Sequence, residues 1–159
     1  MIRLSFYSFA LLGALTLIVT TTGCQSDPFD VQPVTGTITY NGVPVEGAMV
    51  AFVEIEGCPT GRGAWGQTDA NGAYTLWTYA ATRPGAAPGT YNVFVTKAVV
   101  VDRQGNEFVG EGAPPIDPAT GGPLLRHLIP RKYSGHLGQT VLSATVQRGQ
   151  NVFDFNLED

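Results

Sequence analysis

The chain has 159 residues, room for one domain, and a single domain of that order buries about two thirds of the surface its unfolded form exposes. Its formal net charge is −4 and only 14% of its residues are charged, which excludes the basic footprint that nucleic acid or an anionic membrane surface requires. With 20 glycines, 11 prolines, abundant Val, Thr, Tyr and Phe, and no amphipathic-helix spacing after residue 24, the composition predicts an all-β domain of short strands and turns.

The chain opens with Arg3, an apolar run over residues 4–19, and then Thr20, Thr21, Thr22 and Gly23 before Cys24. This is the layout of a secretory signal peptide. A membrane span is the competing reading, but Thr and Gly close the run early and no positive flank follows it. The segment Thr21-Thr22-Gly23-Cys24 resembles the lipobox of bacterial lipoproteins, although that family usually has Leu where Thr21 stands. The resemblance implies removal of residues 1–23 and diacylglycerol on Cys24. It also implies an exported protein held by its N-terminal lipid on the periplasmic or outer face of a membrane; Gln25 after the cysteine suggests the outer membrane by analogy. Several acyl chains at about 0.8 kcal/mol per buried methylene hold a soluble domain firmly. Ordinary secretory cleavage, leaving Cys24 a plain thiol, is the alternative. Beyond the anchor there is only Cys58, in the turn-rich Gly57-Cys58-Pro59, so no disulfide framework is expected and the fold stands on its core.

Residues 24–32 are polar and contain Pro28, which suits a short tether. The clearest strand follows: Val34, Gly36, Ile38 and Tyr40 share one face and Thr35, Thr37 and Thr39 the other, up to the Asn41-Gly42 turn. Residues 48–55 are nearly continuous in apolar side chains, as in a strand covered on both sides. Residues 64–68 lead through Asp69-Ala70-Asn71-Gly72 into residues 73–79, a tight hairpin. An even loop count there places Trp65 with Tyr74 and Leu76 in the core, and Trp77 with Tyr79 outside it. Further strands are expected over residues 91–101, 140–147 and 152–157, making seven. Residues 102–128 show Gly, Pro and charge without periodicity and read as a long loop, a natural place for a binding surface.

The stretch of residues 36–48, with its Asn41-Gly42 turn and Pro44, and the run Thr68-Asp69-Ala70-Asn71-Gly72-Ala73-Tyr74 look like the carboxypeptidase regulatory-like domain. Gly89-Thr90-Tyr91-Asn92-Val93 continues the likeness. The tail from Ile129-Pro130 through Leu157 is similar to the end of short bacterial lipoproteins carrying that domain. The resemblance implies a transthyretin-like, seven-stranded Greek-key β-sandwich over residues 33–159. It further implies a non-catalytic module that braces or binds, an inference by fold analogy.

The residues themselves offer little chemistry. His127 and His136 lack the carboxylate and third ligand of a zinc site, and Ala80 stands where a calcium loop opening at Asp69 needs a bidentate Glu. No nucleophile elbow or phosphate loop occurs, so no catalytic residue, cofactor or metal is expected. Two bindable features remain. Trp77 and Tyr79 form a candidate aromatic platform for sugars, against which stands simple packing beneath the loop or a neighbouring strand. Arg126, His127, Arg131 and Lys132 form a basic cluster suited to a phosphate or carboxylate, against which stands a solvated loop. The expected function is a lipid-anchored, non-catalytic structural or protein-interaction module of the cell envelope, with envelope proteins or glycans as partners. A carbohydrate-binding module is the alternative, and an unrecognised hydrolase the third reading.

Overall fold

The computed structural model describes residues 30–55, 63–135 and 141–159. The signal segment, Cys24, Cys58 and His136 lie outside the described residues. Among those described there is no α-helix; the chain forms twelve short strands and one 3-10 turn at Arg131–Tyr133. It is an all-β protein of two five-stranded sheets with one shared core, consistent with a β-sandwich.

The first sheet is organised around β1 (Val34–Tyr40). On one side β1 pairs antiparallel with β2 (Val43–Pro44) and β5 (Ala73–Thr75); on the other it pairs parallel with β11 (Asn151–Val152) and β12 (Phe155–Leu157). The period-two pattern works as the residues dictate: Val34 and Ile38 are fully buried, and the threonines face outward. Gly36 is required because Phe153 passes close by; a Cβ on Gly36 would lie 1.8 Å from the Phe153 carbonyl oxygen. The gap between β11 and β12 is bridged by Asp154, whose Oδ1 accepts the Thr37 N–H and hydroxyl, each at 2.8 Å.

The second sheet runs in the order β10 (Leu142–Val146), β7 (Gly89–Thr96), β3 (Met49–Glu54), β4 (Ala64–Gln67) and β6 (Trp77–Thr78), antiparallel throughout. Val50, Phe52, Tyr91, Val93, Val95 and Val146 fill the space facing the first sheet. Phe52 is tilted against both Tyr91 and Phe153, with ring centroids 5.8 Å apart in each case. Tyr74, expected in the core, and Tyr91 are both buried, and each satisfies its hydroxyl on a backbone carbonyl, of Phe153 and Ala87 respectively.

The structure departs from the sequence reading in four places. Strand β3 is not covered on both sides: Val50 and Phe52 point inward while Met49 and Val53 stand exposed on the outer face. The packed unit takes in two residues assigned to the tether, for Val31 is buried and Gln32 exchanges hydrogen bonds with Ala86. The expected strand over 91–101 breaks at Lys97, after which β8 (Ala98–Val100) pairs with β9 (Leu125–His127). Residues 102–128 are therefore no plain loop but an arm, closed by that ladder and by bridges Val101 to Glu107 and Ile116 to Pro123.

The fourth departure concerns Trp65, which is 53% exposed and not part of the core. The Asp69 N–H bonds the Ala73 carbonyl and the Gly72 N–H returns to the Asp69 carbonyl, so the loop holds three residues, an odd count. Gly72 takes φ +74°, the left-handed position that such a loop needs. Odd parity sends Gly66 and Leu76 inward together and brings Trp65 directly opposite Trp77 on the outer face.

Candidate functional site

Across the outer face of the second sheet, the register lines up Trp77, Trp65, Ala51 and Phe94 in one row over four neighbouring strands. Directly opposed residues in such a ladder carry their Cβ atoms about 5 Å apart, so the two indoles occupy adjacent ground. Phe94 is roofed by the turn after Arg131–Tyr133, since a Cβ on Gly135 would lie 2.4 Å from its ring. The other end of the row is open: Trp65 and Trp77 are 53% and 47% exposed. Aromatic surface left in water next to more of the same is uncommon on a monomer and marks a place of contact.

The open end borders a groove of about 490 Å³. It forms because β5 leaves the second sheet for the first while β4 and β6 stay paired. Trp65 and Trp77 make one wall; Thr35 and Thr75 come from the first sheet; Gln67 and Asp69 stand at the turn. Gly66 and Tyr74 lie where the sheets part, and a Cβ on Gly66 would come within 2.4 Å of the Thr75 carbonyl oxygen, so only glycine lets β5 pass. Asp69 is held by its turn, its Oδ1 accepting the N–H groups of Asn71 and Ala73 at 2.8 and 2.9 Å. Among the described residues, no Lys, Arg or His lines the groove.

Of the two residues expected as a platform, Trp77 belongs to this groove. Tyr79 lies just past the end of β6, where the chain turns at Ala80 (φ +63°), and at 78% exposure it does not line the groove. The partner of Trp77 is Trp65, which sequence reasoning placed in the core. The signal that finds it is the parity of the loop, legible only once the Asp69 to Ala73 pairing is known.

The four basic residues do not converge. Arg126 and His127 are successive on β9 and point to opposite sides. Arg126 donates from Nη1 to the Gly105 carbonyl at 2.9 Å, bracing the arm. His127 and Arg131 share a second cleft of about 320 Å³ with Asp117, Thr96, Thr120 and Ser134. Lys132 sits instead over the ring of Tyr133, its Nζ 5.2 Å from the centroid. The Arg131 guanidinium, the Asp117 carboxylate and the His127 ring thus border one cleft.

No protein-family model matches the chain, and no curated protein and no solved structure matches it either. Among the described residues no three His, Cys, Asp or Glu side chains stand together as metal ligands, and no helix is long and apolar enough to cross a membrane. The functional reading therefore rests on the geometry, whose most distinctive feature is an exposed aromatic face bordering a groove.

Proposed function

We propose that this protein is a lipid-anchored, non-catalytic binding module of the cell envelope, of the carboxypeptidase regulatory-like, Greek-key kind, which holds an envelope component against the outer face of β4 and β6. The observation that carries it is the register placing Trp65 opposite Trp77 on an exposed sheet face. The export signal and the Thr21-Thr22-Gly23-Cys24 segment support tethering through Cys24, and the all-β core supports a rigid platform. A binding face needs no moving parts: both indoles stand on paired strands, so little ordering entropy is lost when a ligand lands on them.

The test is photocrosslinking in intact cells from a probe at position 67, beside the two indoles, with a probe at position 152 on the far sheet as control. One envelope component is expected at 67 and not at 152, lost in Trp65→Ala. Membrane retention is expected to disappear in Cys24→Ser. Equal labelling from both positions, or labelling indifferent to Trp65→Ala, rejects the binding face; membrane retention of Cys24→Ser rejects the anchor.

A further inference from the structure

The chemistry of the groove is specific enough to name what it takes. Resting on the binding-face reading above, we infer that the groove between Trp65, Trp77 and the first sheet is a binding site for a neutral oligosaccharide. A pyranose ring has an apolar C–H face and a rim of hydroxyl groups. The groove matches both, with two half-exposed indoles on one wall and Gln67, Asp69, Thr35 and Thr75 around it. An amide, a carboxylate and two hydroxyls supply both donors and acceptors to a rim that itself offers both.

The charge of the lining selects among polymers. Among the described residues one carboxylate and no cation borders the groove, on a chain of net charge −4, so uronate-rich or phosphorylated glycans meet repulsion there without a compensating partner. A peptide is the less suitable occupant. Among the described residues the groove has no deep apolar pocket for a side-chain anchor, and the hydrogen-bonding groups bordering it are side chains rather than a long free strand edge, β6 being two residues long. The volume of about 490 Å³ accommodates a short run of sugar rings rather than one, so affinity should grow with chain length and then level off.

The experiment uses the full, lipidated chain purified in detergent and follows tryptophan fluorescence during titration with the tetrasaccharides of β-1,4-linked N-acetylglucosamine, β-1,4-linked glucose and α-1,4-linked glucose. Tetragalacturonate serves as the anionic counterpart. At least one neutral tetrasaccharide is expected to give saturable quenching at least tenfold tighter than its own disaccharide or than tetragalacturonate. Trp65→Ala and Trp77→Ala should each weaken it tenfold or more, read by calorimetry so that loss of the reporter is not mistaken for loss of binding. Gln67→Ala and Thr75→Ala, which leave the indoles in place, should weaken it severalfold, while Tyr79→Ala should leave it unchanged. No neutral glycan binding at millimolar concentration, or binding indifferent to both tryptophans, overturns the inference. If the probe at position 67 still captures a protein in cells while every glycan fails, the binding face stands and its ligand is a protein.

Discussion

Tyr74 shows how one side chain ties together the two flanks of the first sheet, reaching across β1 from β5 to the segment between β11 and β12. It is buried on β5 and donates to the Phe153 carbonyl at 2.8 Å. Burial, with a smaller contribution from the nearby Asp154 carboxylate, pushes its hydroxyl well above the ordinary phenol value, because a phenolate there has no water and faces a negative charge. A raised pKa in the native state makes this contribution fully present below about pH 10, where the unfolded phenol titrates, and lost as the pH climbs toward the native value. Stability measured by urea unfolding is accordingly expected to fall steeply above pH 10. Tyr74→Phe should cost about 1 kcal/mol at pH 7 through the lost hydrogen bond, yet show a shallower alkaline decline. An identical decline in both proteins would assign the effect elsewhere.

At the level of elements, the turn between β4 and β5 decides more than its length suggests. Its three-residue loop sets which face carries Trp65, and its Asp69 carboxylate holds two backbone N–H groups that the sharp reversal leaves without ladder partners. Asp69→Ala is expected to destabilise the fold by about 1–2 kcal/mol in chemical denaturation, leaving the denaturant slope unchanged. Most strands were legible because Thr, Val and Tyr alternate and Asn-Gly or Asp-x-x-Gly signals punctuate them. Parity was not: a loop of two or four residues would read nearly the same, and one residue more or less moves an indole from core to solvent. The arm over 98–128 escaped for another reason. Its strands are three residues long and their side chains are only partly covered, so there is no buried face to impose a period. The basic cluster looked continuous because its members are neighbours in sequence, whereas alternation along β9 and the turn at Arg131–Tyr133 send them to different surroundings.

The whole molecule depends on contacts between its ends. β1, the first strand, is the centre of its sheet, and its parallel partners come from the last residues of the chain, Val34 facing Asn151 and Tyr40 facing Leu157. The C-terminus is fastened again by Tyr133, whose hydroxyl donates to the Glu158 carbonyl at 3.1 Å and accepts the Glu158 N–H at 3.0 Å. Removing residues 149–159 should therefore abolish cooperative thermal unfolding, followed by circular dichroism, rather than trim a surface strand; a sharp transition in the truncated chain would show that the remaining strands suffice. The parallel pairing also has a mechanical side. Tension applied between the N-terminal end of β1 and the C-terminal end of β12 runs along two strands pointing the same way, so it loads their hydrogen bonds sideways and all together instead of peeling them one after another. Such a joint is strong along the line between those two strand ends and weak across it.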